Sequence, residues 1–475
     1  MVEGTPGVKL FCKSIEEYAM PHPQFPRGFL FGTATAAFQI EGSPYADGKN
    51  ASIWDTFSYR KGKIRTGENA DIACDTYLDP ERDIELMVAL GMNSYRFSVA
   101  WSRVMPDGRG AVNQKGLDYY SHLVDLLLER GITPFITLYH WDMPQTLEDE
   151  LSGFASRETC SLFADYATVV VKALGDRVKD WITLNEPWEH AALGHLLGDH
   201  APGKRNPWTY MKVAHHELLA HGLGMQAIRA ASPDARVGIT LSQTPILPVT
   251  DSPADIKAAA LGDQFFNDFF LDGIYKGIYP EPLWSRMRLI RPHIGADDMR
   301  IISGKTDFLG LNYYSREYAR AAWYVPFLGA WVDEVDTSAG ERVVNGYQFT
   351  NFNREVYPRA FYERLMYIKD RCSNPPVYIT ENGASFTDKL EDGRVHDPLR
   401  VAFLEGYMGE AANAVRDGVD LRGYFIWTLM DNFEWREGYA KRFGLVYVDH
   451  ATQERVIKDS GYWVRDMIRS QLARA

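Results

Sequence analysis

Short runs that are apolar at nearly every position alternate along this chain with longer stretches whose apolar residues recur every three or four positions. The short runs cover residues 29–33, 94–101, 134–141, 181–185, 237–242, 308–314, 377–381 and 423–429. They are rich in Ile, Val, Phe and Tyr, as strands buried on both faces are. Between them the helical period is plain: Tyr120, Leu123, Val124, Leu127 and Leu128 form one stripe, and Leu404, Tyr407, Met408, Ala411, Ala412 and Val415 another. Pro80 and Pro398 stand at helix starts, with Gly91 and Gly131 just past helix ends. Eight strand and helix units in succession predict an α/β fold, a (β/α)8 TIM barrel with long βα loops, ahead of a doubly wound open sheet.

No low-complexity linker or internal repeat divides the chain, so one barrel domain is expected over 25–470, preceded by a loosely attached extension over 1–24. One stretch breaks the rhythm. Residues 315–353, after the sixth strand, are too long for a simple connection and hold Trp323, Tyr324, Phe327 and Trp331 among Gly and Pro. Those aromatics fit either the core of the loop or an ordered wall over a binding site.

In a parallel barrel the site lies at the C-terminal ends of the strands, so the last residues of each apolar run carry the information. Arg96 lies in the second run, and His140 and Trp141 end the third. Asn185 and Glu186 close the fourth, Asn312 and Tyr314 the sixth, and Glu381 and Asn382 the seventh. Trp427 lies in the eighth, Gln39 follows the first, and Glu434 and Trp435 follow the eighth. Polar groups gathered at one end of so many strands converge on a single cup. Two carboxylates facing each other there suit cleavage of a glycosidic bond, one protonating the departing oxygen while the other attacks or assists at the anomeric carbon. Such a pair divides its labour when an arginine favours the charged form of one and apolar surroundings favour the protonated form of the other.

Composition narrows the partners. Among 475 residues, 24% are charged and the formal charge is −12, so nucleic acid and anionic membrane surfaces are poor partners. Cys12, Cys74, Cys160 and Cys372 form no CxxC pair and have no histidine at ligand spacing, which predicts reduced thiols and no metal. The N-terminal stretch lacks the apolar core of a secretory signal, and no run reaches the ~18 apolar residues of a membrane span. A cytoplasmic enzyme without a cofactor is expected, its oligomeric state open.

The motifs FLFGTATAAFQIEG, YRFSVAWSR, TLYHWDMP, TLNEP, LGLNYYS, YITENG and GYFIWTLMDNFEWREGY followed by KRFGL resemble the family 1 glycoside hydrolases, which include β-glucosidases and β-galactosidases. The likeness runs from about Phe25 to about Arg465. It implies a retaining mechanism on unphosphorylated β-D-glycosides or short oligosaccharides, with Glu186 as acid/base and Glu381 as nucleophile held by Arg96 and Tyr314. It implies that Gln39, His140, Asn185, Asn312 and Glu434 meet sugar hydroxyls. Trp427 would carry the apolar sugar face, Trp435 and Phe443 would close that end, and Trp188 would wall the leaving-group side. β-Galactosides and β-fucosides fit as well, because Glu434 could accept either C4 epimer. Two positions depart from the family pattern: Thr428 replaces a usual Ser, and Phe154 replaces the Trp of a Gly-Trp pair.

Plainer readings compete. Glu186 and Glu381 could be members of buried ion pairs, His140 a core histidine, and the tryptophans packing residues. His215 to His221, HHELLAH, lacks the four-residue spacing of a zinc-binding HExxH and is read as ordinary helix. Gly222 to Ala227, GLGMQA, follows a helix rather than a strand, so it is no dinucleotide fingerprint. Two other functions remain open: a transglycosidase using the same intermediate, and a sugar-binding barrel without activity.

Overall fold

Eight parallel strands close on themselves in the order β1, β8, β7, β6, β5, β4, β3, β2. They are β1 Leu30–Ala34, β2 Ser94–Ser98, β3 Thr133–Tyr139, β4 Asp180–Asn185, β5 Arg236–Ser242, β6 Phe308–Asn312, β7 Val377–Asn382 and β8 Leu421–Trp427. The computed structural model describes residues 22–332 and 339–472, so most of the expected extension over 1–24 lies outside the described residues. The open-sheet alternative is excluded, because Leu30 to Ala34 pair with Gly423 to Trp427 and complete the ring.

Every expected strand is present, but several end earlier than the apolar pattern suggests. β2 stops at Ser98, β3 at Tyr139, β6 at Asn312 and β8 at Trp427. Trp101, Trp141 and Tyr314 are therefore past the strands rather than in them. The cause is that residues beyond the ladder remain buried against loops, so hydrophobicity outlasts strand pairing. Among the described residues, the register breaks in the barrel include Ile182/Asn185, Ile379/Glu381 and Ile379/Asn382. Such breaks turn the following side chain away from strict alternation.

Below these breaks, Phe135, Tyr378, Phe308 and Phe425 fill the barrel, with Phe135 5.1 Å from Tyr378 and 5.0 Å from Phe425 between ring centres. Helices surround the ring. Pro80–Ala89 begins at Asp79, whose carboxylate accepts from the Arg82 amide, and ends before Gly91 at φ +72°. In Gln114–Glu129 the residues Tyr120, Leu123, Val124 and Leu127 are buried, but Leu128 is 40% exposed and Leu117 and Leu126 complete the inner face. Five residues of a 3.6-residue helix span more arc than one neighbour covers.

HHELLAH lies within the helix Pro207–Ala231, and each of its polar side chains has a packing role. His215 bonds Tyr279 and Asp298, His216 bonds the Phe154 carbonyl, Glu217 bonds His190, and His221 bonds Thr183. GLGMQA continues the same helix. No group of residues with metal-binding arrangement occurs among the described residues. Cys74, Cys160 and Cys372 are buried free thiols, whereas Cys12 lies outside the described residues. No described helix is long and apolar enough to cross a membrane.

A buried ion cluster ties the loops after β7 and β8 to the helices that follow. Lys458, fully buried, contacts Asp388 at 2.5 Å and Asp431 at 2.7 Å, while Arg400 contacts Asp388 at 2.9 Å and also Asp397. Removing one cation strands buried carboxylates. Lys458→Met is expected to destabilise the protein by about 3–5 kcal/mol, read as a lower denaturant midpoint; a loss under about 1 kcal/mol would contradict this role.

Candidate active site

Above the aromatic plug, the strand ends open into a cavity of about 770 Å³. Its walls include His140, Glu186, Trp188, Tyr314, Glu381, Trp427, Glu434, Trp435 and Phe443. Gln39, Arg96, Asn185 and Asn312 are buried directly behind that lining. The residues singled out in the sequence therefore gather at one end of the barrel, in two layers.

Glu381 is an acceptor on both oxygens. Arg96 Nη1 donates to its Oε1 at 2.5 Å and the Tyr314 hydroxyl to its Oε2 at 2.6 Å. Arg96 is fully buried and fixed on its other sides, donating to Asn185 Oδ1 at 2.6 Å, Thr137 Oγ1 at 3.1 Å and the Thr380 carbonyl at 3.2 Å. Its charge is thus paired and held by four hydrogen bonds, as a buried charge requires. Asn382, beside Glu381, locks the backbone by donating to the Tyr313 carbonyl at 2.6 Å and accepting from the Tyr424 hydroxyl at 2.5 Å. Gly383 completes the ENG triplet because any β-carbon there would lie 1.8 Å from the Trp427 carbonyl oxygen.

Glu186 has a different setting. It follows the last residue of β4 at φ 47°, in the left-handed region that non-glycine residues seldom occupy. Asn312 Nδ2 donates to its Oε1 at 2.9 Å. Burial, then the neighbouring Glu189 and Glu381 carboxyls, push its pKa well above the ordinary glutamate value. Tyr314 is likewise raised well above the usual phenol value, first by burial and then by Glu381.

Asn312 spends its amide on protein partners, with Oδ1 accepting from Thr380 at 2.7 Å and Nδ2 shared between Glu186 and Asn185. It holds Glu186 rather than facing the cavity. Asn185 accepts from Arg96 and Asn312 on its oxygen, and its nitrogen lies 3.0 Å from His140 Nε2. Burial, with Arg96 nearby, holds His140 well below its ordinary pKa, so the ring is neutral. Opposite, Gln39 Nε2 lies 3.4 Å from Glu434 Oε2 and donates to the Phe433 carbonyl at 3.0 Å. Gln39 Oε1 is buried without a protein partner. Burial pushes Glu434 up to about 8.

Trp435 packs against Trp141 and Trp54, each 4.6 Å away between ring centres, and lines the cavity as well as the core. Phe443 lies edge-on to Tyr314 at 6.2 Å. Trp188 stacks on Phe266 at 4.3 Å. The Trp427–Thr428 peptide is cis, and Phe154 is buried against Tyr139. The aromatics of 315–353 divide: Phe327 and Trp331 line the cavity, whereas Trp323 is 93% exposed and no part of a loop core. Sequence reasoning passed over Glu189, Ser242 and Arg354, which also line the cavity. A carboxyl three residues past Glu186, on the helix Pro187–Ala191, was the available signal for Glu189.

Comparisons with known proteins agree with this architecture. The description "Glycosyl hydrolase family 1" matches residues 21–472. "Beta-glucosidase A" of Thermotoga maritima is 45% identical over 94% of this chain and 98% of its own length. "1,4-beta-D-glucan glucohydrolase" of Thermotoga neapolitana is 44% identical over 94% of this chain and 98% of its own. The solved structure "Beta-glucosidase from Thermotoga maritima in complex with glucoimidazole" superposes with a TM-score of 0.89 at 45% identity, covering 94% of this chain and 99% of that one. Barrel, cavity and whole-length likeness lead to one conclusion: the chain belongs to glycosyl hydrolase family 1.

Proposed function

We propose that this protein is a retaining β-glucosidase that removes terminal unphosphorylated β-D-glucosyl groups by double displacement. The observation that carries the reading is the unequal setting of two glutamates on one cavity. Glu381 accepts from a guanidinium and a phenol, whereas Glu186 is desolvated and shares its surroundings with two other carboxyls. One is built as an anion and the other as a proton donor. Relatives named for β-glucosidase and glucan glucohydrolase activity support glucose as the sugar.

In the first step Glu381 attacks C1, the bond from C1 to the leaving oxygen breaks, and Glu186 gives that oxygen its proton. In the second, water attacks C1, its proton passes to Glu186, and Glu381 departs as carboxylate. Retention requires the two carboxyl groups to stand about 5–5.5 Å apart. Arg96 and Tyr314 hold Glu381 in line; Asn312 orients Glu186. His140, Glu434 and the unpartnered Oε1 of Gln39 supply hydrogen bonds to hydroxyls, Asn185 holds its place behind them between Arg96, Asn312, His140 and Glu186, Trp427 offers a flat apolar face, and Trp435 and Phe443 close that end. β-Galactosides and β-fucosides fit the same reading, since Glu434 can meet either C4 epimer.

The test is release of glucose and 4-nitrophenol from 4-nitrophenyl β-D-glucoside, with the first-formed sugar observed by proton NMR. Equal amounts of both products, with β-glucose appearing first, support hydrolysis with retention. α-Glucose first would overturn retention. Nitrophenol released in excess of glucose, with acceptor glucosides formed, would assign a transglycosidase. No release above background would leave a binding barrel.

A pH prediction follows from Glu186. The first step needs its proton, and its pKa is raised above the ordinary value of 4.5. As pH rises, kcat/KM is therefore expected to persist through the range where an ordinary glutamate has ionised, and to fall only above the raised pKa. A profile already falling near pH 4.5 would contradict this setting.

A further inference from the structure

In the closed ring β5 stands opposite β1, and β4 opposite β8. Of the cavity groups read as meeting the sugar, Gln39, Trp427 and Glu434 belong to the β1 and β8 side, whereas His140 follows β3. Across the mouth, Glu189 follows β4 and Ser242 ends β5. Trp188, Leu193, Leu196, Phe265 and Phe266 line the same cavity, while Ser242 hydrogen-bonds the Glu189 carboxyl and Arg354, Glu186 and Glu381 act on it electrostatically. A buried carboxyl oxygen is costly unless something hydrogen-bonds to it. Glu189 is half-buried, lines the cavity, and its Oε2 has no protein partner. Trp188 Nε1, one residue earlier, is also without a partner.

We propose that Glu189, with Ser242, is a specificity-determining point for the leaving group, pairing with its hydroxyls and so favouring a sugar leaving group over a flat aromatic one. This rests on the β-glucosidase reading. A sugar presents an apolar face to the aromatic wall and hydroxyls to the carboxyl; a nitrophenyl ring presents only the first. A site whose buried polar group must be paired discriminates against the analogue that cannot pair it. Burial pushes Glu189 up to about 8, so near neutral pH its carboxyl both donates and accepts.

The experiment compares kcat/KM for cellobiose and for 4-nitrophenyl β-D-glucoside in the wild type, Glu189→Leu and Glu189→Gln. The ratio of cellobiose to nitrophenyl glucoside is expected to fall by about tenfold or more in Glu189→Leu, and Glu189→Gln is expected to restore most of it. A ratio unchanged in Glu189→Leu overturns the inference. Independently of any variant, the wild type is assayed on cellobioses that each lack one hydroxyl of the leaving glucose. Loss of about tenfold or more at one position supports the assignment; equal rates across the set overturn it. Hydrolysis of neither parent substrate by the wild type would overturn the β-glucosidase reading and this inference together.

Discussion

Glu381→Gly is expected to lower kcat on an aryl β-glucoside by about 10⁵-fold, the scale on which loss of a catalytic nucleophile is felt. The reason is local. Arg96 and Tyr314 each direct a short hydrogen bond at Glu381, so no other carboxyl of the cavity is held by the same donors. Glycine leaves room on that face of the sugar for a small anion. Added azide is expected to restore turnover and to yield the α-glucosyl azide, because attack from the vacated side inverts C1 and no second displacement follows. Glu381→Gln keeps the shape, removes the charge and admits no azide, so it separates lost chemistry from lost packing. A folded glycine variant with more than about a hundredth of wild-type activity would contradict the assignment.

The second large effect depends on the leaving group. Glu186→Ala is expected to cost about 10²–10⁴-fold on cellobiose or an alkyl glucoside, whose leaving oxygen needs a proton. On 2,4-dinitrophenyl β-D-glucoside the first step is expected to survive, since that leaving group departs as the anion. The second step then lacks its base, so a burst of dinitrophenol followed by slow turnover is the signature, with azide accelerating turnover and giving the β-glucosyl azide. Equal losses on good and poor leaving groups would contradict the acid/base role.

Much of this was legible in the sequence for a simple reason. In a barrel the apolar runs mark the strands, and a polar residue at the end of a run has only the mouth to face. Thus Glu186, Glu381, His140 and Trp427 could be placed in one cavity before any coordinates. The register breaks at Ile182/Asn185 and Ile379/Glu381 could not be read, because bulges depend on neighbouring strands rather than on local pattern. For the same reason Asn312 looked like a sugar ligand, although its amide is spent on Glu186, Asn185 and Thr380. Glu189 was missed because a charged residue in a short helix usually faces water; only the folded wall gives it a buried oxygen. The segment 315–353 hid its short strands Glu317–Ala321 and Ala330–Val332, which pair at one edge of the mouth and bring Trp331 to the cavity.

In the proposed mechanism Glu381 forms the covalent bond to the sugar. That assignment is tested most directly by treating the enzyme with 2,4-dinitrophenyl 2-deoxy-2-fluoro-β-D-glucoside, which slows both steps but releases its good leaving group. Peptide mapping by mass spectrometry then locates the label. One fluoroglucosyl group per chain is expected, on the peptide bearing Glu381; a label on Glu186, or inactivation without any label, would show that Glu381 is not the nucleophile.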